Sequence, residues 1–160
     1  MHSPGAGALK EDTMPSGPPP KFLVKSAVAV HNFLYRISGG RLGGKFSGAP
    51  VLLLSVKGRK SGELRTVPLL YVTTDKGFAL IASFAGSPKH PDWYLNLEAA
   101  GVAEIDMRGR HIRVRTETPD PDSERYRNIW RDAAALYPDY DTYQTRTTRR
   151  IPIVELLPLS

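Results

Sequence analysis

The chain has 160 residues, of which 41% are hydrophobic and 24% charged, so its length and composition are those of one ordinary globular domain. It contains no cysteine, which excludes disulfides, thiolate zinc sites and a cysteine nucleophile, and which fits a reducing cytoplasm. The formal net charge of +6 favours an acidic partner, either nucleic acid, anionic lipid or a polyanionic small molecule, without choosing among them.

The N-terminal part of the chain changes character near residue 21. Residues 1–20 are rich in Pro, Gly and Ser and are predicted to be a flexible tail, while residues 21–160 are predicted to form one domain. From Phe22 to Ile37 the pattern predicts a helix with one narrow polar stripe. Two interpretations stay open: the helix packs on the domain, or it lies on a membrane surface. No run reaches the roughly 18 apolar residues of a membrane span, so a soluble or peripheral protein is expected.

From Pro50 onward the pattern is that of β-strands. The runs "PVLLLSV", "RTVPLLYVTT" and "FALIASF", joined by two short turns, predict a three-stranded antiparallel meander. "HPDWYLNLEAAG" predicts a short helix with Pro91 at its first position and Gly101 at its end. "VAEIDM" and "HIRVRTET" predict a further hairpin around "RGR".

The last forty residues predict two helical segments and a strand. A helix is expected to open at Asp120-Pro121 and to end at Pro138, followed by another turn. Its apolar face, expected to pack on the sheet, carries Tyr126, Ile129, Trp130, Ala133 and Tyr137. "IPIVELLP" is predicted to be the last strand. At least six strands in hairpins, with helices set apart from them, predict an α+β fold built on an antiparallel sheet or barrel.

A cationic turn is the first candidate site. In "VKGRKSGELRTV", four cations surround a turn that contains Gly58 and Gly62, namely Lys57, Arg59, Lys60 and Arg65. Exposed backbone N–H groups and these side chains would bind a phosphate or several carboxylates. The alternative is a solvated hairpin turn whose charges serve only solubility.

Two further stretches are candidates for a pocket. "SFAGSPKHPDWY" combines small residues with a helix start, which offers donors and room for a flat ligand, or else is a capped surface loop. In "YPDYDTYQ", Tyr137, Tyr140 and Tyr143 are spaced three apart, so their rings would line a pocket wall or else form part of the core.

Conventional catalytic motifs are missing from the sequence. It has no H-E-x-x-H, no G-x-S-x-G and no G-x-G-x-x-G after a strand, and His2, His31, His90 and His111 lack metal-ligand spacing. A metal site or a Ser-His-Asp hydrolase is therefore not expected. An enzyme of this kind usually takes its chemistry from a cofactor that the protein holds and orients.

Four motifs, between Gly58 and Leu156, together resemble a known family. They are "GRKSGELRTVPL", "HPDWYLNL" after "IAS", "YPDYDTYQ" and "RRIPIVEL", in that order. In this combination the sequence resembles the deazaflavin-dependent nitroreductases of actinobacteria, which use the 8-hydroxy-5-deazaflavin coenzyme F-420. The resemblance implies a split β-barrel related to flavin-binding proteins and an enzyme that reduces a small-molecule acceptor.

The resemblance also implies a set of site residues. Contacts to the phosphate and oligoglutamate tail of the cofactor are implied for Arg59, Lys60, Ser61, Gly62 and Arg65. The deazaflavin ring is implied to lie against Thr66, Val67, Pro68, Ile81, Ala82 and Ser83, with Pro91 and Trp93 at the rim. The substrate side is implied to include Leu70, Tyr137, Tyr140 and Tyr143. The implied reaction is hydride transfer from C5 of the reduced cofactor, with Ser83 and Tyr140 as catalytic hydrogen-bond donors.

Several alternatives stay open. Leu70, Phe84 and Asp92 depart from the best-known nitroreductase pattern, so the acceptor is a nitro compound, a quinone or a conjugated enone. An FMN-binding split-barrel protein and a deazaflavin carrier without turnover are the alternative functions. A nucleic-acid-binding module is not expected, because the sequence shows no recognition helix or aromatic platform. The expected location is the cytoplasm, with the inner face of the membrane left open through helix 22–37, and a homodimer is also left open.

Overall fold

The computed structural model describes residues 45–46 and 49–160. The predicted tail 1–20 and helix 22–37 lie outside the described residues. The strands are β1 (Lys45–Phe46), β2 (Ala49–Lys57), β3 (Leu64–Leu70), β4 (Val72–Thr74), β5 (Gly77–Ile81), β6 (Val102–Met107), β7 (Arg110–Glu117) and β8 (Ile153–Pro158). The helices are α1 (Asp92–Ala100), α2 (Glu124–Leu136) and α3 (Asp139–Thr145), and a 3-10 turn spans Phe84–Gly86. No helix in this part of the chain is long and apolar enough to cross a membrane.

The strands form one curled antiparallel sheet. Its order is β1-β2-β6-β7-β8-β5-β4, and β3 also pairs with β2. β3 and β4 are successive parts of one chain segment, interrupted at Tyr71. Because β3 pairs with β2, the second strand of the order, and β4 is the last strand of the order, this segment joins the two sides of the sheet. The sheet therefore curls into a barrel with separate helices, which confirms the predicted α+β split β-barrel.

The predicted three-stranded meander is wrong in one respect. Both predicted pairings are present, β3 with β2 and β4 with β5, but the run "RTVPLLYVTT" is two strands rather than one. Val67 and Tyr71 pack against the inside of the barrel, whereas Leu70 and Val72 join a cluster on its outside. Apolar and polar residues do not alternate in a run that is apolar on both faces, so the pattern sets no register. The interruption of the strand at Tyr71 could therefore not be predicted from the sequence.

Two hydrophobic clusters hold the fold. The barrel core, defined by its buried members, consists of Leu52, Leu54, Val56, Leu80, Leu97, Ala103, Ile105, Val114, Val154 and Leu156. The outer cluster consists of Val72, Ala79, Ile81, Tyr126, Ile129, Ala133, Tyr140, Ile151 and Ile153. Alternate residues of β5 and β8 point into the two clusters, as a strand period of two requires. Helices α2 and α3 thus cover one outer face of the barrel, while α1 contributes Leu97 to its interior.

The helix boundaries differ slightly from the predicted ones. α2 begins at Glu124 rather than at Asp120-Pro121, because the hydroxyl of Ser123 caps it by accepting a hydrogen bond from the backbone N–H of Tyr126 at 3.1 Å. Pro91 occupies the N-cap position of α1 rather than its first helical position. Gly101 ends α1 in a left-handed conformation with φ 69°, as predicted.

Candidate functional site

The cationic turn connects β2 to β3 and is closed by its own backbone. The N–H of Gly58 donates to the carbonyl of Glu63 at 2.7 Å, and the N–H of Gly62 donates to the carbonyl of Gly58 at 2.8 Å. The N–H of Arg59 donates to Oδ1 of Asn96 at 3.1 Å. These three N–H groups are therefore satisfied within the protein and do not belong to the exposed donors predicted for the turn.

Two donors of the turn remain open. Within residues 45–46 and 49–160, the backbone N–H groups of Lys60 and Ser61 have no hydrogen-bond acceptor. The side chains of Lys60, Ser61 and Arg65 are exposed around them. Arg65 is paired with Glu63 at 3.2 Å, and an exposed pair of this kind contributes only about 0–1 kcal/mol, so it yields readily to another anion. The turn therefore presents two adjacent N–H donors and two cations to an incoming phosphate or carboxylate.

Arg59 joins the turn to helix α1. Its Nη1 donates to Oδ1 of the buried Asn96 at 2.8 Å, and its Nη2 lies 3.3 Å from Oδ1 of Asp92. The contact of Arg59 with a cofactor tail stays a prediction, and these bonds give the residue a structural role as well. Nothing in the sequence pattern pointed to Asn96, since a polar residue on a short helix has no distinguishing signal.

The predicted ring-binding residues of β3 point in alternate directions. Val67 is partly buried and packs against the barrel core. Thr66, on the opposite face, lies with its Oγ1 2.7 Å from Oγ of Ser55. Pro68 lies on the same face as Thr66, and Leu70 packs against the outer cluster beside the three tyrosines. The contacts predicted for these residues remain predictions.

The chain after β5 makes a strained turn, which we define as residues 82–87. The predicted strand "FALIASF" is wrong beyond Ile81, where β5 ends. Phe84 and Ala85 have φ of 45° and 52°, in the left-handed region that costs a non-glycine residue about 1–3 kcal/mol. Ser83 is 9% exposed, and its hydroxyl has no hydrogen-bond partner in the described part of the chain. Strain next to an unpaired buried hydroxyl is typical of a ligand-binding turn.

Arg149 holds the strained turn from the side of β8. Its Nη2 donates to the carbonyl of Ser83 at 2.8 Å and its Nε donates to the carbonyl of Ser87 at 2.8 Å. Nη1 and Nη2 both lie 3.3 Å from the carbonyl oxygen of Ala82. Arg149 belongs to the motif "RRIPIVEL", but the sequence alone assigned it no role.

His90 also contacts this arginine, which makes the site sensitive to pH. Burial lowers the pKa of His90 below its usual value of 6.5. The guanidinium of Arg149, whose Nη1 lies 3.3 Å from Nδ1 of His90, lowers that pKa further. The carboxylate of Glu98 raises it by a smaller amount. As the pH falls, the unfolded chain therefore binds the proton first, at about pH 6.5. The contribution of neutral His90 to stability is complete above that pH and is lost as the pH falls toward the lower folded pKa.

We therefore expect wild type to lose stability relative to His90→Gln as the pH falls from about 7.5 to about 5.5. Gln cannot titrate, so the difference between the two unfolding free energies isolates the histidine from the carboxylates. Urea unfolding of both proteins at several pH values measures it. A difference that stays constant across this range would contradict the assignment.

The three tyrosines lie together on the outer face of the barrel. Their ring centroids are 5.1, 6.2 and 6.4 Å apart in the pairs Tyr137–Tyr140, Tyr137–Tyr143 and Tyr140–Tyr143. Tyr140 is 6% exposed, and its hydroxyl has no partner among the residues that the structure describes. Burial raises the pKa of Tyr140, and the hydrogen bond between the hydroxyls of Tyr137 and Tyr143 raises the pKa of Tyr137. The hydroxyls of Tyr137 and Tyr140 therefore keep their protons at neutral pH, and the buried ring of Tyr140 belongs to the core, as the alternative interpretation held.

The elements that carry Ser83 and Tyr140 are in direct contact. Nη1 of Arg146, which caps α3, lies 3.5 Å from the carbonyl oxygen of Ala85. A side chain on Gly86 would place its Cβ 2.6 Å from the carbonyl oxygen of Tyr143. The strained turn therefore packs directly on α3.

This close approach gives a stability prediction. Gly86 has φ 78°, so Gly86→Ala combines the cost of a left-handed alanine with a clash against Tyr143, and we expect a loss of about 2 kcal/mol. Gly109 is the matched control, because it has φ 81° and no atom within 4 Å of the position that a methyl group would take, so Gly109→Ala should cost about 1 kcal/mol. Equal losses in urea unfolding would show that the contact does not constrain the turn.

Helix α1 connects the parts of the site. Arg59 of the cationic turn bonds to Asp92 in the first turn of the helix. The N-cap residue of the helix, Pro91, is buried and directly follows His90. Trp93 is half-buried against the barrel core, with its ring edge-on to Tyr94. Contacts therefore join the cationic turn to α1 through Arg59, and join His90, just before α1, to the strained turn through Arg149. Within the described ranges, no group of three or more His, Asp or Glu side chains is arranged to hold a metal ion.

Comparisons with known proteins agree on one family. The model of the family described as F420H(2)-dependent quinone reductase matches residues 27–158. The Mycobacterium tuberculosis protein named F420H(2)-dependent quinone reductase Rv1261c is 34% identical over 129 residues, which cover 79% of this chain and 87% of that protein. The solved structure of an F420-H2 dependent reductase, FDR-A, is 33% identical with TM-score 0.60, covering 67% of this chain and 93% of that one. A second solved structure, described as a domain-swapped dimer, is 27% identical with TM-score 0.61, covering 87% of this chain and 99% of that one.

Proposed function

The chain belongs to the family of F420H(2)-dependent quinone reductases, and on this basis we propose that it reduces a quinone by hydride transfer from reduced coenzyme F-420. It is an oxidoreductase of this cofactor class. The proposal for its site rests above all on one observation, the two open N–H groups of Lys60 and Ser61 between exposed cations.

The described residues fit this cofactor in two places. Its phosphate and oligoglutamate tail is a polyanion, and the cationic turn offers Lys60, Ser61 and Arg65 to it. Its ring system is proposed to lie beside the strained turn, against Ile81 and Ala82, which leaves the unpaired hydroxyl of Ser83 for the acceptor. FMN has no long carboxylate tail and would leave most of the cationic turn unused. When bound, the reduced deazaflavin supplies a hydride from its C5.

The protein's own contribution is to position the acceptor and to stabilise charge. Ser83 and Tyr140 have hydroxyls without partners in the described structure, so both are free to donate to an acceptor oxygen as it becomes negative. The raised pKa of Tyr140 keeps its proton in place for that role. Leu70 and Ile81 give the same region an apolar wall that excludes water.

The acceptor is proposed to be a quinone, with enones and nitro compounds as further candidates. Leu70, Phe84 and Asp92 distinguish this chain from the best-known nitroreductase pattern, which favours an acceptor other than a nitro drug. A location in the cytoplasm, contact of helix 22–37 with a membrane and assembly into a homodimer remain proposals. The dimer gains support from the solved relative that is described as a domain-swapped dimer.

An anaerobic turnover assay tests the function. Reduced coenzyme F-420 is mixed with the protein and menadione, and the return of the oxidised deazaflavin absorbance is followed, with an enone and a nitroimidazole in parallel. We expect protein-dependent oxidation with menadione, and a loss of about 100-fold in Ser83→Ala. Tight cofactor binding without turnover of any acceptor would indicate a carrier, and preference for reduced FMN would overturn the choice of cofactor.

A further inference from the structure

Arg149 is not among the residues that the sequence or the family resemblance placed in the site. From its contacts we infer that Arg149 is a positioning residue, which sets the direction of the Ser83 hydroxyl by fixing the backbone of the strained turn. The inference rests on the proposed function for its catalytic consequence, although its structural part can be tested without activity.

The contacts fix the backbone on both sides of Ser83. The carbonyls of Ala82 and Ser83 belong to the two peptide planes that flank the Cα atom of Ser83, and Arg149 donates to both of them. Because peptide groups are planar, holding both carbonyl oxygens fixes the direction of the Cα–Cβ bond. Rotation of the hydroxyl is then limited to its side-chain torsion.

The turn needs such a constraint because its own conformation is unfavourable. Phe84 and Ala85 both adopt positive φ and both are exposed, so burial does not hold them, and the side-chain contact described for Ala85 is the long one, 3.5 Å, from Nη1 of Arg146. Inside the turn, the N–H of Gly86 donates to the carbonyl of Ser83 and that of Ser87 donates to the carbonyl of Phe84. Arg149 adds charge-assisted bonds at both ends, to Ser83 and to Ser87.

Arg149 is itself fixed to the element that carries Tyr140. Its carbonyl accepts a hydrogen bond from Nε2 of Gln144 on α3 at 2.8 Å, and the N–H of Ile151 donates to Oε1 of the same glutamine at 3.0 Å. The arginine therefore links α3 to the strained turn, and so it holds the two predicted hydroxyl donors in a fixed relation. Lysine cannot reproduce this, since a single ammonium lacks the planar fork that reaches Ala82, Ser83 and Ser87 together.

Steady-state kinetics with menadione and reduced coenzyme F-420 test the catalytic part. Arg149→Met should lower kcat/KM for menadione by about 100-fold, the size of effect expected for a small misplacement, while the Kd for the cofactor stays close to that of wild type. Arg149→Lys should recover only a small part of the loss. Arg150→Met is the matched control, because the neighbouring Arg150 is exposed and bonds to Asp122 and to the carbonyl of Pro121, and it should leave kcat/KM unchanged.

A double-mutant cycle distinguishes positioning from a general structural role. If Arg149 acts through the hydroxyl of Ser83, Arg149→Met should cause little further loss in a Ser83→Ala background. If the two losses instead multiply, Arg149 does not act through Ser83 and the inference is overturned.

Hydrogen exchange tests the structural part whether or not the protein turns over menadione. Peptides that cover residues 82–90 should exchange faster in Arg149→Met than in wild type or Arg150→Met, while those of β7 stay protected. If Arg149→Met does not fold, Arg149→Lys takes its place with the same expectation. If residues 82–90 are equally protected in Arg149→Met and in wild type, the inference is overturned. If the wild type does not oxidise the reduced cofactor but Arg149→Met still exchanges faster at residues 82–90, only the proposed function is contradicted.

Discussion

Replacing Lys60 and Arg65 together by glutamate should raise the Kd for coenzyme F-420 by about 100-fold or more at low ionic strength. Each substitution removes a cation next to the open N–H groups of Lys60 and Ser61 and puts an anion in its place. The effect should shrink as salt is added, because both side chains are exposed and their charges are screened. Titration of the deazaflavin fluorescence at low and high salt measures both.

A matched double variant separates position from net charge. Arg110→Glu with Arg131→Glu changes the net charge by the same amount, at exposed positions on β7 and α2. It should change the Kd only slightly. Arg59 is unsuitable for this test, because its guanidinium bonds to Asn96 and Asp92 and its removal would also release the turn from α1. Equal weakening by the two double variants would contradict a specific site at the turn.

Arg125→Met should lower the free energy of unfolding by about 3–5 kcal/mol. Glu155 on β8 is only 2% exposed, and its Oε2 accepts from Nε of Arg125 at 3.1 Å. The pairing raises the pKa of Arg125, with a further contribution from Asp75 at 2.6 Å. Without the arginine, the Glu155 carboxylate stays buried and loses its hydrogen bonds to the guanidinium, which destabilises the packing of α2 on the barrel. Urea unfolding measures the loss.

Two controls identify the origin of that loss. Arg115→Met removes a 2.7 Å pair with Glu117 in which both side chains are well exposed, and it should cost less than about 1 kcal/mol. Arg125→Met combined with Glu155→Leu should recover most of the stability, because a buried ion pair can be replaced by apolar contact. If the single Arg125 variant is no less stable than the Arg115 variant, the buried pair does not hold α2 to the sheet.

Local patterns were enough to predict most of the fold. The cationic turn lies between two strands as predicted, and Gly101 ends α1, because turn residues and apolar alternation act over a few positions. The break at Tyr71 was not predictable, since residues on both sides of it are apolar on both faces. The start of α2 was misplaced because Asp120 and Ser123 are both good N-caps, and only the structure shows which hydroxyl or carboxylate accepts the bond.

Of the candidate site, the sequence predicted only the residues that lie within its motifs. Each motif supplies neighbours in sequence, so the cationic turn, the segment around Ser83 and the three tyrosines could be named as candidates from the sequence. Asn96 and Arg149 were missed because their partners, Arg59 and Ser83, are 37 and 66 residues away along the chain. Contacts of that range follow from how the barrel closes, which periodicity does not encode. The positive φ of Phe84 had no signal either, because no glycine marks that position.

A crystal structure of this chain with coenzyme F-420 bound would be the decisive test of the proposed binding mode. We expect a phosphate or carboxylate oxygen of the cofactor at the N–H groups of Lys60 and Ser61, and its ring system beside the Ser83 hydroxyl. A cofactor bound elsewhere on the barrel, with the cationic turn empty, would refute that binding mode.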